Sequence, residues 1–417
     1  MEINGVSLHW TKAEKFKTNI LSLYINIPYT KENATLASLL PMVLRRGSVR
    51  YPSISDVARR LEELFGAVFY SGLRKKGDHA FIYFSLEFIS DKFINESIQK
   101  EAFEFLKEIV FFPVTTDNAF NKEFVEAEKI NLKDEIKGLI NDKKAYAEQR
   151  IKEITFPDSA YSIPSDGFLE DVDIINEKNL FDFYKKILNE CSIDIFYSGS
   201  FSEDEALKNL SDTILPHLTP RESFVSKTAL AEKQNQEIIN TTENMDITQS
   251  KLCIMFTTNT KPFSKDYYAL SVFNCIFGGS PFSKLFNNVR EKLSLAYYVF
   301  SRLERTKGTM VISSGIEGDK LDAAYNEIML WLDKMKNGDF SDEEIISAKK
   351  YLETNLNSSK DSLRATEDHL LTCISEGVPM EEIDTLKDGI KKVTREEIIN
   401  CAKKLELCSV YLLTNKS

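Results

Sequence analysis

Apolar residues recur at helical spacing in the stretch LASLLPMVLRRGS, residues 36–48. The i, i+3, i+4, i+7, i+8 pattern of a helix with one buried face is carried by Leu36, Leu39, Leu40, Val43 and Leu44. Asn33 or Thr35 can cap this predicted helix, and Gly47 suits its C-terminal end. Pro41 lies in the middle of the pattern, where it removes a backbone donor and is expected to kink the helix.

The pattern along the rest of the chain predicts two similar runs of strands and helices. In the first run, AVFYSGLRKKGDHAFIYFSLEF predicts two strands around a turn at Lys75–Asp78, and a long charged helix is predicted from 118 to 154. Residues 215–250 are polar, turn-rich and poorly periodic, which predicts a boundary. In the second run, SPFSKLFNNVREK predicts a helix capped by Ser280, and LAYYVFSRL and GTMVISSGI predict strands.

Two sequence echoes relate these runs. GAVFYS, which ends at Ser71, resembles AYYVFS, which ends at Ser301, and the segments around Cys191 and Cys408 echo each other in the same order. The echoes predict a duplicated unit of about 200 residues. We therefore predict an α+β fold of two tandem homologous domains, at residues 1–220 and 235–417, each a mostly antiparallel sheet packed with helices. A coincidence between two similar α+β patterns is the alternative.

Composition limits the class of protein and its partners. The chain has 417 residues and a formal net charge of −11, and its Lys and Arg residues form no basic block, so nucleic acid is not an expected partner. The N-terminus MEINGVSLHW lacks a charged-then-apolar signal pattern, and no run of about 18 apolar residues occurs. We therefore expect a soluble cytoplasmic protein with no membrane partner.

The possible metal ligands are few. Six cysteines lie far apart without a C-x-x-C pair, which favours neither a disulfide framework nor a cysteine zinc site. Of the four histidines, His9, His79, His217 and His369, no two are close enough to share a helix turn. A helical H-x-x-E-H or H-E-x-x-H zinc pair is therefore impossible, and each histidine is expected to be a surface or packing residue. A site assembled from distant histidines stays open.

The segment SKLFNNVREKLSLAYYVFS, residues 283–301, combines Arg290 with Tyr297 seven residues later in an apolar frame. It resembles a segment in the C-terminal domain of the pitrilysin/insulinase-like metallopeptidases, which include the mitochondrial processing peptidase and short bacterial relatives. A second match is F-P-x-x-x-Y-x-x-P-x-x-G, carried by Phe156, Pro157, Tyr161, Pro164 and Gly167. A third is Glu128 followed by Glu135 and Ile136. The resemblance spans nearly the whole chain and implies the mitochondrial-processing-peptidase-like fold.

The family's zinc motif is H-x-x-E-H on the first helix, ahead of a Lys/Arg–Gly–Thr turn. Counting back from Arg46-Gly47-Ser48, the first histidine falls on Ser38, the general base on Pro41 and the second histidine on Met42. None of these residues can serve as its counterpart does, as zinc ligand or general base, because proline has no side-chain base and a thioether is a poor zinc ligand. The third ligand's counterpart, Glu135, keeps the right chemistry, so we predict a vestigial site with no metal. Without the resemblance, residues 36–48 are a kinked core helix.

Other candidate residues have simpler explanations beside the functional one. Arg290 can complement a helix C-terminus, and Tyr297 can pack. The resemblance implies instead that these two side chains hold the substrate backbone. Glu128 and Glu135 lie on one helix face, which a solvated acidic surface also explains.

Small bacterial members of the family often occur as pairs, in which one chain keeps the Arg–Tyr element and the other keeps the zinc motif. The resemblance therefore implies the non-catalytic, substrate-binding subunit of a heterodimeric zinc peptidase that acts on peptides or small unfolded proteins. Zinc is expected on the partner, and peptidase activity is expected only with that partner. The alternative is a catalytically inert scaffold or peptide-binding protein of the same fold. An active peptidase with an unrecognised metal site is the third hypothesis.

Overall fold

The computed structural model describes residues 2–3, 5–220, 228–233, 237–380 and 382–415. The chain divides into two compact units, the first comprising Met1–Lys75, His79–Gly138 and Ile163–Ser226, the second Lys76–Asp78, Leu139–Ser162 and Lys227–Ser417. The boundary predicted between 220 and 235 includes residues 221–227 and 234–236, which lie outside the described residues. Within the described ranges, no helix has the length and apolar character needed to span a membrane.

The first half of the chain alternates strands and helices. Its strands are β1 (Glu2–Ile3), β2 (Val6–Lys12), β3 (Thr18–Ile27), β4 (Val68–Lys76), β5 (His79–Ile89), β6 (Thr115–Thr116), β7 (Ala119–Phe120) and β8 (Ser192–Gly199). Its helices are α1 (Lys31–Leu44), α2 (Ile54–Glu63), α3 (Gln99–Phe111), α4 (Lys122–Asn141), α5 (Lys143–Thr155), α6 (Leu169–Val172), α7 (Glu177–Glu190) and α8 (Glu203–Thr213).

The second half contains strands β9 to β13 and helices α9 to α14. The strands are β9 (Ile239–Asn244), β10 (Ser250–Thr257), β11 (Ala296–Glu304), β12 (Thr309–Ile316) and β13 (Glu406–Thr414). The helices are α9 (Lys265–Asn274), α10 (Leu321–Lys336), α11 (Asp342–Ser359), α12 (Leu363–Glu376), α13 (Ile383–Lys392) and α14 (Arg395–Lys403). Two π-helical segments, Cys275–Gly279 and Phe286–Lys292, lie between α9 and β11.

In the first unit, the described strands form a six-stranded sheet in the order β1-β2-β8-β3-β5-β4. β3 pairs antiparallel with both β5 and β8, and β2 pairs parallel with β8. After Thr18, every residue of β3 is buried, because α7 contacts β3 and helices α1 and α3 pack on the neighbouring β5. The predicted pair of strands around Lys75–Asp78 is β4 and β5.

Helix α1 begins at Lys31, one turn earlier than the pattern predicted. Its N-cap is Thr30, whose backbone N–H donates to Asn33 Oδ1 over 3.0 Å. Pro41 lies inside the helix without ending it, since the Arg45 N–H donates to the Pro41 carbonyl over 3.2 Å. The same carbonyl accepts a bond of 3.1 Å from Ser71 Oγ of β4. Burial of most of the helix within the core therefore stabilises a turn that proline weakens.

The prediction of one long helix from 118 to 154 is wrong, because the chain forms α4 and α5 with Asp142 between them. Asp142 Oδ1 accepts hydrogen bonds from the backbone N–H groups of Lys144, at 3.1 Å, and Ala145, at 3.0 Å. A short carboxylate side chain competes for backbone donors in this way and starts a new helix. The break matters for domain organisation, since α5 belongs to the second unit.

The second unit is built on a sheet in the order β11-β12-β10-β13-β9, as far as the described strands show. β10 pairs antiparallel with β12 and β13, and β13 pairs parallel with β9. One face of β10 presents Leu252, Ile254 and Phe256 to a core shared with α9, α10, α11 and α14. The other face presents Cys253 and Met255 to α5. The predicted α+β class is thus confirmed, with two tandem units that each hold a mostly antiparallel sheet and flanking helices.

Gly167 connects the loop before α6 to α1. Its φ is +75°, and a Cβ there would lie 2.4 Å from Thr35 Oγ1 and 2.5 Å from Thr35 Cα. The next residue, Phe168, donates its N–H to Thr35 Oγ1 over 3.0 Å. Both the backbone conformation and the close approach to α1 therefore require glycine.

We predict that Gly167→Ala lowers the free energy of unfolding by roughly 1–3 kcal/mol, through backbone strain and the clash with Thr35. Urea unfolding followed by circular dichroism measures this. Gly138→Ala is the matched control, because a Cβ at this position of α4 meets nothing within 4 Å. The control should be neutral or slightly stabilising. Equal stability of the two variants would contradict the packing described here.

Candidate functional site

The positions equivalent to the zinc motif lie on a buried part of α1. Ser38 and Met42 are four residues apart on one helix face, and both are buried, as is Pro41 between them. Together they offer a hydroxyl, a thioether and a side chain without a base. A catalytic zinc ion takes three nitrogen, oxygen or thiolate ligands from the protein. The residues present do not fit that ion.

The neighbouring helix α4 supplies a buried carboxylate whose negative charge is already paired with arginine. Glu128 is 2% exposed, and its Oε1 accepts a 2.7 Å bond from Arg46 Nη1. Its Oε2 accepts a 2.9 Å bond from Asn131 Nδ2 and lies 3.7 Å from Arg45 Nη2. Two arginines at the end of α1 thus bind the same buried carboxylate. A solvated acidic face is therefore the wrong explanation for Glu128.

Glu135, two turns further along α4, is more exposed than Glu128. Partial burial and the nearby Asp166 carboxylate raise the pKa of Glu135, and Arg45 opposes them. Burial also raises the pKa of Asp166, in the loop before α6. These acidic groups do not make a metal centre, since no group of three His, Cys, Asp or Glu side chains among the described residues could hold an ion.

The four histidines lie elsewhere in the structure. His9 Nε2 is 2.7 Å from Asp194 Oδ1, across the pairing of β2 with β8. His217 packs against the rings of Phe111 and Phe112. His79 is buried, and His369 lies near the sulfur of Cys373. None of the four belongs to α1 or α4.

Arg290 lies on the π-helical segment Phe286–Lys292 of the second unit. Its guanidinium carbon is 4.8 Å from the ring centre of Phe286, and its Nε is 3.6 Å from Glu291 Oε1. Helical structure begins after Ser283, whose Oγ accepts the Phe286 N–H over 3.4 Å, so the predicted cap at Ser280 is wrong. The side chain of Arg290 is nearly half exposed, which leaves its donors accessible to a ligand.

The segment ends in a way that directs the chain into β11. The Leu295 N–H donates back to the Val289 carbonyl over 2.9 Å, and Ser294 takes a left-handed φ of +49°. The corresponding bond of a Schellman helix end spans five positions, and here it spans six at the end of a π-helical segment. Serine pays a small conformational penalty there that glycine would not.

Tyr297 is the extra residue of a β-bulge. In β11, Ala296 is paired with Ile316 and Tyr298 is paired with Gly315, so Tyr297 has no partner on β12. Bulges redirect a side chain and often lie beside functional sites. Tyr297 is 58% exposed, and packing therefore does not explain it.

The hydroxyl of Tyr297 donates to Glu317 Oε1 over 2.7 Å. This hydrogen bond raises the pKa of Tyr297, while Lys320, whose Nζ is 2.9 Å from Glu317 Oε2, lowers the pKa of Glu317. The tyrosine oxygen therefore keeps its lone pairs for an incoming donor. Sequence reasoning missed Glu317 and Lys320, although Glu317 directly follows a predicted strand and Lys320 lies three residues beyond it.

Arg290 and Tyr297 line the same surface hollow, of about 420 Å³. Its other lining residues are Glu291, Ser294, Leu295, Ala296, Glu317 and Lys320. An exposed guanidinium can donate charge-assisted hydrogen bonds to a carbonyl, and the tyrosine oxygen can accept one from an amide. The hollow thus offers both partners that a peptide backbone requires.

Comparisons with known proteins bear on these two sites. Residues 175–352 match the family described as the peptidase M16 inactive domain. Over 411 residues the chain is 32% identical to a Bacillus subtilis (strain 168) protein named "Probable inactive metalloprotease YmfF", covering 98% of this chain and 96% of that one. This chain belongs to the M16 peptidase family. The resemblance predicted from its sequence is confirmed: this is a metalloprotease-like M16 chain whose sequence lacks the zinc motif at positions 38, 41 and 42.

Solved structures share the fold. A conserved protein from Enterococcus faecalis V583 superposes with a TM-score of 0.93 at 32% identity, covering 100% of this chain and 98% of that one. A peptidase M16 inactive domain from Pseudomonas fluorescens gives a TM-score of 0.80 at 17% identity, covering 99% and 97%. The second likeness concerns the fold alone.

Asp166 supplies a test of the electrostatics beside α1. Because the folded chain raises the pKa of Asp166, ionising this carboxyl costs folding free energy, and stability is lost as the pH rises through the folded pKa. We predict that Asp166→Asn raises the melting temperature at pH 7. The difference should shrink towards about pH 4, where the aspartic acid is increasingly protonated.

Asp173→Asn is the control of opposite sign for that measurement. Lys133, whose Nζ is 2.6 Å from Asp173 Oδ1, lowers the pKa of this exposed carboxyl. Its removal should therefore lower the melting temperature slightly at pH 7. Differential scanning fluorimetry across the pH range reports both variants, and equal behaviour of the two would contradict the assignment.

Proposed function

We propose that this chain is the non-catalytic, substrate-binding subunit of a heterodimeric zinc peptidase that acts on peptides or small unfolded proteins. A zinc-bearing family member is the partner and carries the metal, while this chain supplies Arg290 and Tyr297. The observation that carries the proposal is the hollow in which these two side chains meet at the surface. Positions 38, 41 and 42 meanwhile hold no usable zinc ligand.

The geometry of β11 supports a role in holding extended peptides. β11 is the last strand at its end of the described sheet, so one side of its backbone is not paired within that sheet. Extended peptides bind to such edges through main-chain hydrogen bonds. The bulge at Tyr297 interrupts regular pairing at this point and leaves the exposed hydroxyl as an additional contact.

The buried ion pair of Glu128 supports the absence of catalysis in this chain. In a zinc peptidase, ligating and base residues must be free to meet the metal and its water. Here Ser38 and Met42 are packed in the core, and Glu128 is held by Arg46. The first unit is thus arranged for stability at the place where chemistry would be needed.

We also propose that the protein works in the cytoplasm. All six cysteines are free and buried. Thiols persist in this state in a reducing compartment.

One prediction concerns the chain purified alone and the chain mixed with its proposed partner. The purified chain should contain no stoichiometric zinc by plasma mass spectrometry, and it should not cleave a quenched fluorescent peptide. Mixed with a zinc-bearing family member from the same organism, it should form a complex that cleaves the peptide. The partner alone is the control. Stoichiometric zinc together with cleavage in the lone chain would refute the proposal. Peptide binding by a complex that never cleaves would favour the inert peptide-binding protein.

Another prediction concerns the contribution of Arg290 and Tyr297 to the activity of the proposed heterodimer. Arg290→Ala should lower kcat/KM of the pair by about 10–100-fold, since a charge-assisted hydrogen bond to the substrate is lost. Tyr297→Phe should lower it less. Lys265→Ala, at a highly exposed lysine of α9, is the control and should have little effect. Full activity of the Arg290 variant would remove this residue from the site.

A further inference from the structure

A second hollow, of about 880 Å³, lies beside the first in the same unit. Its lining residues come from the start of α5, from the turn before β10 and from β10 itself, and they include Asp142, Lys144, Asp246, Gln249 and Lys251. Tyr297 lines both hollows. A peptide that contacts this tyrosine therefore has part of its length beside the second hollow.

Two lysine ammonium groups converge on one aromatic ring at this place. Lys144 Nζ is 5.3 Å and Lys251 Nζ is 5.5 Å from the ring centre of Tyr298. Lys144 Nζ is also 4.4 Å from the ring centre of Phe300. The rings of Tyr298 and Phe300 stack with their centres 6.0 Å apart, so two neighbouring aromatic faces hold the cations.

The backbone of β12 leaves room for the ring of Tyr298. Gly315 of β12 faces Tyr298, and a Cβ on Gly315 would lie only 2.5 Å from Tyr298 Cε1. The ring can therefore lie close against the strand because the paired residue has no side chain. Because Gly315 has no side chain, the ring of Tyr298 can lie close to β12 and beneath both ammonium groups.

The lining of the hollow carries three lysines, Lys143, Lys144 and Lys251, against two aspartates, Asp142 and Asp246. The protein has a formal net charge of −11, and yet two cations converge here. Lys251 lies on the central strand and is 9% exposed, and burial, together with Lys144, lowers its pKa. Asp142 opposes this shift, but its Oδ1 already accepts two backbone bonds at the start of α5. Asp246 is exposed.

The lysine donors have capacity for a ligand. Lys251 Nζ donates to Gln249 Oε1, and an ammonium group has three N–H donors. Carboxylates are the groups in peptides that such donors bind most strongly. A carboxylate between Lys144 and Lys251 would also relieve their mutual repulsion.

We propose that the second hollow binds a carboxylate of the peptide that Arg290 and Tyr297 hold. The substrates are then peptides with an acidic side chain, or a free C-terminal carboxylate, at the position that reaches Lys144 and Lys251. This inference rests on the proposed function, which it deepens by naming the class of substrate.

The test uses the full chain and three nonapeptides of alanine and leucine that carry an uncharged BODIPY label. One carries an internal glutamate and a C-terminal amide, the second carries glutamine and the amide, and the third carries glutamine and a free C-terminus. Scanning the glutamate over the internal positions finds its register. At low salt, one of the two anionic peptides should bind about tenfold more tightly than the neutral one, by fluorescence anisotropy. Added salt should reduce this preference.

Lys144→Gln and Lys251→Met should each abolish the preference and leave the affinity for the neutral peptide unchanged. Lys144 is exposed, so its variant tests the site even where the buried Lys251 variant loses stability. Lys334→Gln is the matched control, because Lys334 Nζ also lies over an aromatic ring, 4.0 Å from the centre of Trp331, but outside the hollow. This control should keep the preference.

The outcomes separate this inference from the proposed function. Equal affinity of the wild-type chain for all three peptides would overturn the carboxylate site and leave the proposed function standing. A preference that Lys144→Gln abolishes, in a chain where Arg290→Ala weakens no peptide, would support the site and contradict the role of Arg290. Failure of every peptide to bind would overturn both.

Discussion

The buried ion pair between Arg46 and Glu128 sets the geometry on which the first unit depends. A carboxylate removed from water is costly unless a cation and hydrogen bonds accompany it. Arg46 from the end of α1 and Asn131 from α4 meet both oxygens of Glu128. The pair therefore joins α1 and α4, the two helices on which the family resemblance places the zinc motif and its third ligand. In this chain, an ion pair and an amide hydrogen bond inside the protein link these helices.

The second unit differs from the first, because its candidate binding residues are exposed at the surface. Its sheet is covered by helices on one face and by α5 on the other, so most of its residues serve packing. Regular structure is interrupted at the left-handed Ser294 and at the bulge of Tyr297, and both residues line the first hollow. A rigid scaffold with a local irregularity is a common way to present a binding residue. Here the irregularity and the candidate contacts coincide.

Much of this fold could be predicted from the sequence, because its helices and strands have strong periodicity and its family motifs are local. The absent zinc motif and the shared location of Arg290 and Tyr297 also follow from short segments. Asp142 was hidden, since one carboxylate in a long charged run gives no sign that it will cap a new helix. Its effect is large, because α5 joins the second unit although it precedes the predicted boundary. Lys144 and Lys251 meet through the packing of α5 on β10, which no single stretch of sequence encodes.

Because Pro41 stands where the family's general base would lie, the zinc motif is hard to regain by successive substitutions. Regaining a zinc peptidase would require two imidazoles and a carboxylate within five residues of one helix, and no single substitution among them confers activity. Intermediates would also place polar groups at buried positions, where they lower stability before any benefit arises. Selection that acts one step at a time therefore cannot easily retrace this path. A lineage that has passed such a point is confined to functions that need no zinc motif of its own.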